Sequence, residues 1–392
     1  MIDQAFAIEQ RATDRGERRL RRTYGFEEVA LVPGAVTADP AEVDLSVDLA
    51  GVQLRIPFVA AAMDAVADAA FATSITRLGG LAFVNLEGLY ARYEDASPVI
   101  DRVAAAESGH AAASVLAEAY EQPIRDELIR KLIGDIKARG GIAAVATTPG
   151  AAWHHAEVAA DAGADLFLVQ SQVSSARHIS TSGRVLSLAD LTGALKIPVL
   201  VGNTVSGEAA YQLMQQGAAA VLVGVGPGAA CTTREVLGIG VPQVSATLEV
   251  AAARDRFERE TGRHVPVITD GGMKTGGDIA KAIASGADAV MLGSPFAAAL
   301  EAPGRGFNWG MAAPSAMLPR GTRIKIGERL PLEQILFGPS TTTHGTQNLA
   351  GALRASMGAL GARTIAEMHE VEMVIAPSIV TEGKSWQLAG RE

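Results

Sequence analysis

The stretch Ser285-Gly286-Ala287-Asp288-Ala289-Val290-Met291-Leu292 ends a helix-like segment at a glycine and begins an apolar run at once. The same arrangement occurs at Ala162-Gly163-Ala164-Asp165 and at Gln216-Gly217-Ala218-Ala219. Glycine at a helix C-terminus adopts the left-handed cap that turns the chain into the next element. Buried parallel strands are continuous apolar runs. The three stretches therefore predict helix-to-strand connections in a parallel sheet.

Apolar runs of this kind recur eight times, each with a helix-like stretch after it. The runs are Ile56–Ala60, Leu81–Asn85, Ile142–Ala146, Asp165–Val169, Ile197–Val201, Ala219–Val223, Val265–Thr269 and Ala287–Leu292. Eight βα units predict an α/β fold of the (β/α)8 TIM barrel type, and a doubly wound open sheet is the alternative. We expect one barrel domain over residues 1–392. In such a barrel the chemistry lies at the C-terminal ends of the strands.

The composition limits the classes of function. The 392 residues are 48% hydrophobic but only 5% aromatic, which suits a large core of Ala, Val, Leu and Ile. The net charge is −9 and no Lys/Arg block alternates with aromatic residues, so we expect no nucleic-acid partner. A single cysteine excludes an intrachain disulfide. Without an apolar leader or a bilayer-length apolar run, we expect a cytoplasmic protein with no membrane partner.

From about Glu301 the repeating pattern breaks into a stretch rich in Gly, Pro and Arg. Residues 303–345 are too many for an ordinary connection between a strand and a helix. Long irregular segments inside compact domains often act as lids over active sites. We therefore predict an irregular, mobile flap over residues 303–345, inserted after strand 8, followed by helices near 349–360 and 364–370.

The only cysteine, Cys231, lies in the loop Gly224-Val225-Gly226-Pro227-Gly228-Ala229-Ala230-Cys231-Thr232-Thr233-Arg234, directly after the sixth apolar run. Free cysteines are usually buried and inert. In this loop, however, glycines at every second position let main-chain groups face a ligand, and peptide dipoles stabilise a thiolate. We therefore predict that Cys231 is a nucleophile.

Two further loops indicate a phosphate site. Asp270-Gly271-Gly272 follows the seventh run and Gly293-Ser294 follows the eighth, where barrels commonly hold phosphate on backbone N–H groups. Asp270 beside a phosphate suits a ribose diol. His154 and His155 have no carboxylate or thiol at ligand spacing and are predicted to be surface residues. The residues alone predict a barrel enzyme that holds a phosphorylated, nucleoside-like molecule against Cys231.

The assembled motifs resemble the IMP dehydrogenase/GMP reductase family. The matching segments are Gly202-Asn203, the loop 224–234, Val241-Pro242-Gln243, Asp270-Gly271-Gly272, Met291-Leu292-Gly293-Ser294, Glu301-Ala302-Pro303-Gly304 and Gly310-Met311. Seven motifs in the same order cover most of the chain. The resemblance is to a branch without the regulatory CBS pair, because Asn85 to Gly141 is too short to contain it.

The resemblance implies a mechanism in which the Cys231 thiolate attacks C2 of IMP, hydride passes to NAD, and water releases XMP from a covalent thioimidate. It implies that Asp270 binds the ribose, while Gly272, Gly293 and Ser294 bind the phosphate. Gly310 and Met311 are implied along the purine, Ser171, Asn203 and Gly224 beside the nicotinamide, and Thr233 beside the hydrolytic water.

The resemblance also implies a K+ ion held by carbonyls of the cysteine loop, at Gly226, Gly228 and Cys231, with the C-terminal segment of a neighbouring subunit. Glu382-Gly383 resembles that segment. A homotetramer or octamer is the assembly expected from it. IMP and XMP are the expected small-molecule partners.

Some residues depart from the family pattern. Ala229 replaces a serine that donates to phosphate, and Gln170 replaces an aspartate that pairs with the cofactor ribose. The segment Met317 to Arg323 is short and lacks the usual Arg-Tyr pair that activates water. Arg320 falls where dehydrogenases carry Gln and reductases carry Glu, so it is the candidate for orienting water.

These features favour an NAD-dependent IMP dehydrogenase. A GMP reductase, which would use NADPH, is the alternative, and a non-catalytic purine-nucleotide-binding protein is an alternative of another class.

Overall fold

The protein is a closed barrel of eight parallel strands, seen in a computed structural model that describes residues 20–176, 186–310 and 323–376. The strands are β1 (Phe58–Ala60), β2 (Leu81–Asn85), β3 (Ala144–Thr147), β4 (Leu166–Gln170), β5 (Val199–Thr204), β6 (Ala220–Val223), β7 (Val267–Asp270) and β8 (Ala289–Leu292). Each strand pairs with its sequence neighbours, and β8 pairs with β1. This closure confirms the (β/α)8 barrel and excludes the open sheet.

All eight predicted strands are present, with ends shifted by up to three residues. The helices that follow β1 to β6 are Ala69–Leu78, Ser97–Ala105, Gly109–Tyr120, Asp126–Ala138, Ala152–Asp161, Leu188–Ala194, Gly207–Gln215, Thr233–Leu237 and Gln243–Thr261. Those after β7 and β8 are Gly276–Ala284, Ser294–Ala297, Leu332–Phe337, Leu349–Ala359 and Ile365–Met368. The glycines that end the predicted helix-to-strand connections, Gly163, Gly217 and Gly286, have φ values of 83°, 94° and 98°.

The side chains of each strand alternate between two cores. In β4, Leu166 and Leu168 point into the barrel interior, whereas Phe167 and Val169 pack against the outer helices. This alternation follows from the twofold side-chain period of a strand. The hairpin Val47–Leu49/Val52–Leu54 places buried leucines in the interior core and covers the N-terminal end of the barrel. Polar groups are therefore left to collect at the opposite, C-terminal end.

The connection between β2 and β3 carries two additional helices, Ser97–Ala105 and Gly109–Tyr120, which we call the helix pair. The helix pair forms a separate small core with Leu89 and with Trp309, which comes from a distant part of the chain. Together with Asp126–Ala138, it fills the connection in which the family usually inserts its CBS pair.

The segment predicted to be irregular has more regular structure than expected. Phe307–Asn308 and Ile324–Lys325 form an antiparallel strand pair, and Leu332–Phe337 is a helix. Strands of two residues leave no periodic pattern for sequence analysis to detect. The two predicted closing helices are present at Leu349–Ala359 and Ile365–Met368.

The two ends of the described chain are joined. The strand Val29–Leu31 pairs antiparallel with Met373–Ile375. The sequence analysis did not predict this pair, because neither three-residue run shows alternation over the four or more residues that identify a strand. Among the residues that the structure describes, no helix is long and apolar enough to cross a membrane.

Candidate active site

The Cys231 thiol is exposed at the barrel mouth, in the loop that leaves β6. Its Sγ donates to Oγ1 of Thr233 at 3.1 Å, and Nε2 of Gln172 donates to the same oxygen at 3.3 Å. Thr233 is buried and begins a short helix. The loop also closes on itself, because the N–H of Cys231 donates to the carbonyl of Gly228 at 3.0 Å. Thr233 thus fixes the position of the thiol.

The cysteine loop lies directly against the loop that leaves β7. Gly224 has a φ of 143°, and a Cβ added there would lie 2.4 Å from the carbonyl oxygen of Asp270. A Cβ on Gly271 would lie 3.3 Å from the backbone nitrogen of Gly228. Side chains at these positions would force the loops apart. Glycine is therefore required for the thiol and the Asp270 loop to share one end of the barrel.

Asp270 is the centre of a polar cluster at the ends of β4, β5 and β7. Its Oδ2 accepts from Nδ2 of Asn203 at 2.7 Å and from Nε2 of Gln170 at 3.3 Å. Nε2 of Gln170 also donates to Oδ1 of Asn203 at 2.9 Å. Burial raises the pKa of Asp270 to about 6, against the lowering effect of the hydrogen bond from Asn203. Two amide donors reach its Oδ2 in the described structure, which leaves acceptor positions of the carboxylate open to a ligand.

Ser171 lies beside this cluster. Its N–H donates to the carbonyl of Gly202 at 2.7 Å, and its carbonyl accepts the N–H of Asn203 at 3.0 Å. The structure thus brings together four residues that the sequence assigned to different ligands: Ser171, Asn203 and Gln170 to the cofactor, and Asp270 to the ribose. A substrate and a cofactor that react with one another must bind side by side, and this shared location meets that requirement.

Gln243 is a site residue whose role sequence analysis missed. It is buried, and its Nε2 donates to the carbonyls of Val223 at 2.7 Å and Asp270 at 3.1 Å. Its Oε1 is buried with no hydrogen-bond partner in the described structure. Gln243 therefore ties the end of β6 to the end of β7. The only signal in the sequence was its place in the segment Val241-Pro242-Gln243.

The predicted phosphate residues lie at the ends of β7 and β8. Ser294 begins a helix directly after Gly293, and its Oγ accepts from Nδ2 of Asn308 at 3.2 Å. Asn308 is 1% exposed, and its Oδ1 has no partner. Gly272, with a φ of 83°, packs against Pro227 of the cysteine loop. Backbone donors and small side chains thus remain accessible at this corner of the mouth.

A third group of polar residues joins the ends of β2 and β3. Oε1 of Glu87 accepts from Oγ1 of Thr147 at 2.9 Å and from the N–H of Thr148 at 2.5 Å. Oγ1 of Thr147 also contacts Nδ1 of His155 at 2.7 Å. The prediction that His155 is a surface residue was wrong, because the side chain is only 3% exposed. Burial lowers the pKa of His155, which favours the neutral ring. His154 is exposed, as predicted, and pairs with Asp126.

Three predicted site residues, Met311, Arg320 and Glu382, lie outside the described residues. Gly310 is described and follows the buried Trp309. Of the carbonyls predicted to bind K+, that of Gly228 already accepts an N–H within the loop. In the part of the chain that the structure describes, no group of three His, Cys, Asp or Glu side chains could hold a metal ion. A potassium site made of carbonyls would not require such a group.

A closed parallel barrel with polar side chains at the C-terminal ends of its strands is the architecture of an α/β-barrel enzyme. The sequence model of the IMP dehydrogenase / GMP reductase domain matches residues 23–384, and the chain belongs to that family. The protein is therefore an oxidoreductase by family.

The relatives differ in how specifically they are named. An uncharacterised oxidoreductase of Mycobacterium tuberculosis is 38% identical over 91% of this chain and 98% of its own length. An inosine-5'-monophosphate dehydrogenase of Methanocaldococcus jannaschii is 28% identical over 91% of this chain and 94% of its own. The crystal structure of an IMP dehydrogenase/GMP reductase-like protein from Corynebacterium glutamicum has a TM-score of 0.87 and 34% identity, covering 94% of this chain and 99% of its own.

Proposed function

We propose that the protein is an NAD-dependent IMP dehydrogenase that oxidises the purine at C2 through a covalent intermediate on Cys231. The observation that carries the proposal is the contact between the cysteine loop and the Asp270 loop. This contact joins a nucleophile to an acceptor for a ribose diol in one mouth. The family to which the chain belongs contains proteins with this name.

In the proposed reaction, the Cys231 thiolate adds to C2 of IMP and forms an S–C2 bond. A nicotinamide dinucleotide held by Gln170, Ser171, Asn203 and Gly224 would accept the C2 hydrogen as hydride, and the sulfur would stay bound to C2 in a thioimidate. Water adds to C2 and loses a proton, and the S–C2 bond breaks to release XMP and the thiol. The hydroxylation is thereby divided into two less difficult steps.

The described side chains supply positioning for these steps. Thr233 holds the sulfur at 3.1 Å and is our candidate for orienting the attacking water. Asp270 accepts the ribose hydroxyls, for which its carboxylate has free acceptor capacity. The N–H groups and hydroxyl at Gly272, Gly293 and Ser294 bind the phosphate. Arg320 and Met311 stay proposals from the sequence alone.

The dinucleotide fits the remaining polar residues of the mouth. When bound, its nicotinamide supplies the hydride acceptor. The Nε2 of Gln170 donates to Asn203 and Asp270, while its buried Oε1 has no partner within the described structure. A neutral amide accepts ribose hydroxyls more weakly than the aspartate usual in the family. We therefore propose Gln170, Ser171, Asn203 and Gly224 as cofactor residues.

The remaining parts of the proposal concern the surroundings of the site. We propose that residues 303–345 form a flap of a single barrel domain, and that the protein works in the cytoplasm as a homotetramer or octamer. We also propose a K+ ion on the carbonyls of Gly226, Gly228 and Cys231, completed by Glu382 of a neighbouring subunit.

GMP reductase is the second candidate, because the matching family model covers both activities. The relative with higher identity, at 38%, has an unspecific oxidoreductase name, whereas the named dehydrogenase is 28% identical. The contacts of Cys231, Thr233 and Asp270 serve a hydride transfer at C2 in either direction. The two reactions differ in the group that leaves or attacks at C2.

Absorbance at 340 nm tests the proposal directly. Purified protein is given IMP with NAD, with and without K+, and separately GMP with NADPH. NADH formation with IMP is the expected result, and NADPH consumption with GMP would establish the reductase instead. Intact-protein mass spectrometry of samples with IMP and NAD should find the purine adduct on the wild type and not on Cys231→Ala. If no assay gives turnover or adduct, the protein is not an enzyme of this type.

A further inference from the structure

We propose that the helix pair positions the substrate-phosphate corner of the mouth, and that Arg323 is the residue that fastens the two together. This inference rests on the proposed function. The link runs from the helix pair through the strand Phe307–Asn308 to Ser294.

Arg323 closes the C-terminal end of the first helix of the pair. Its Nη1 donates to the carbonyls of Val103 at 2.5 Å and Ala104 at 3.3 Å, and its Nη2 donates to Ala106 at 2.9 Å. The last carbonyls of a helix have no partners within it and carry partial negative charge. A guanidinium that donates to three such carbonyls is a strong, directional contact.

The same guanidinium also holds the strand. Its Cζ lies 4.3 Å from the ring centroid of Phe307, which is a cation–π distance. Phe307 pairs with Lys325 and Asn308 pairs with Ile324, directly after Arg323 in the chain. Arg323 therefore contacts the helix pair with its donors and the neighbouring strand with the face of its planar group.

The alternation of this short strand directs its residues to opposite sides. Phe307 and Trp309 pack into the small core of the helix pair, and Trp309 is 2% exposed. Asn308, between them, points the other way and donates to Oγ of Ser294. Because strand side chains alternate, a strand anchored by Phe307 and Trp309 must present Asn308 to the barrel. Gly310 then enters the mouth at a fixed place.

A second contact fastens the other end of the helix pair beside the same corner. The hydroxyl of Tyr120, the last residue of the pair, donates to Oδ2 of Asp64 at 2.5 Å. Asp64 follows Met63, whose Sδ lies 3.1 Å from the place of a Cβ on Gly293. The pair is thus linked to both residues of the corner, to Gly293 through Asp64 and Met63 and to Ser294 through Asn308.

The unpartnered Oδ1 of Asn308 indicates why the position of this strand matters. It is a buried acceptor next to Ser294 and has no hydrogen-bond partner in the described structure. A hydroxyl or amide of a bound nucleotide, or a water that it orders, would satisfy it. Arg323 is in this account a positioning residue, since it acts through Asn308 and contacts no ligand itself.

The test compares Arg323→Ala, Arg323→Lys and a control, Arg102→Ala. Arg102 lies on the same helix pair but pairs with Glu118 at the surface, where both side chains are more than half exposed. We expect Arg323→Ala to weaken IMP binding and raise its KM about tenfold, with a much smaller change in kcat, because small misplacements of binding groups are costly. Arg323→Lys should restore part of the affinity, and Arg102→Ala should match the wild type.

A double-mutant cycle separates positioning from general destabilisation. If Arg323 acts through Asn308, the variant Arg323→Ala/Asn308→Ala should bind IMP no more weakly than Asn308→Ala alone. Additive losses, or unchanged affinity in Arg323→Ala, would overturn the proposal.

Hydrogen exchange gives a readout that does not depend on activity. Peptides that cover residues 97–106 and 304–310 should exchange faster in Arg323→Ala, while those around Asp270 should not change. Unchanged exchange in the first two segments would overturn the mechanical link. If the wild type binds no purine nucleotide, the proposed function is wrong. The exchange result then tests on its own whether Arg323 connects the helix pair to the strand Phe307–Asn308.

Discussion

Two aspartates at opposite ends of the barrel have opposite surroundings. Asp288, just before β8, is 5% exposed. Its Oδ2 accepts from Arg254 at 2.6 Å and from the N–H of Val267 at 2.7 Å, and its Oδ1 pairs with His264 at 3.2 Å. Burial alone would raise its pKa, but the hydrogen bond with His264 and the charge of Arg254 lower it overall. Asp270, at the end of β7, has only amide partners and a pKa of about 6.

The difference indicates that the N-terminal end of the barrel stabilises the fold, whereas the C-terminal end is open to a ligand. At the N-terminal end the protein supplies partners for its own buried charge. At the mouth, acceptor atoms of Gln170, Gln243 and Asn308 are buried without partners in the described structure. Buried polar groups without partners are uncommon and call for an explanation. The expected explanation is a ligand that supplies the missing hydrogen bonds.

The largest expected effect is at the mouth. Cys231→Ala should reduce turnover by about a thousandfold or more, because the covalent route is lost. The thermal midpoint should change little, since the thiol is exposed. Absorbance at 340 nm measures the turnover, and a melting curve on the same preparation measures the thermal midpoint. Intact turnover would show that Cys231 is not the nucleophile.

The next largest effect is at the opposite end and falls on stability. Asp288→Ala removes the buried partner of Arg254, which is 3% exposed, and leaves the guanidinium with only the half-exposed Asp255, at a cost of roughly 3 to 5 kcal/mol. Denaturant unfolding measures the loss, and the folded fraction should keep its turnover number. Asp255→Ala is the matched control: it removes the other partner of Arg254, but that carboxylate is 51% exposed, so the cost should stay below about 1 kcal/mol. Equal losses in the two variants would contradict the contrast.

Asp270→Asn should make the fold more stable and weaken the binding of IMP. The carboxyl has a pKa of about 6 in the fold and an ordinary value of 3.8, so folding disfavours its ionised form. This cost is absent below about pH 4 and complete above pH 6. The amide variant should therefore melt about 2 °C higher than the wild type at pH 8 and not at pH 4. Calorimetry should find that it binds IMP far more weakly.

The smallest effect is a pH window at His264. The hydrogen bond with Asp288 raises its pKa from 6.5 to about 9, although burial opposes the shift. The charged ring therefore contributes stability below pH 6.5, and this contribution disappears as the pH rises through 9. Melting curves should show the wild type losing its advantage over His264→Gln across this window. In an Asp288→Asn background the window should narrow but persist, because Glu258 still pairs with Nδ1 of His264 at 2.7 Å and also raises its pKa.

The sequence was sufficient to predict the barrel, because eight buried strands repeat one pattern of apolar run and glycine. The location of two candidate residues was also predictable, since the loop of Cys231 leaves β6 and Asp270 ends β7; their roles stay predictions. The environment of the histidines was not predictable. His154 and His155 are adjacent in the chain, yet only the second meets Thr147, a contact that depends on how a helix is rotated against β3.

The contribution of the helix pair was not predictable either. Its small core depends on Trp309, which comes from more than 180 positions further along the chain. Sequence patterns report local periodicity, and they carry little information on which distant residue fills a core. For the same reason, the sequence did not indicate that the Arg323 side chain donates to three carbonyls of the helix pair.

The hairpin Val47–Leu49/Val52–Leu54 has a kinetic consequence. Its leucines fill the bottom of a barrel whose interior is already packed with side chains, so the described structure has no passage through that end. The two ligands of the proposed reaction would therefore enter and leave through the mouth. The ligand that binds deeper in the mouth would bind first and dissociate last. An excess of the outer ligand would therefore slow dissociation of the inner ligand.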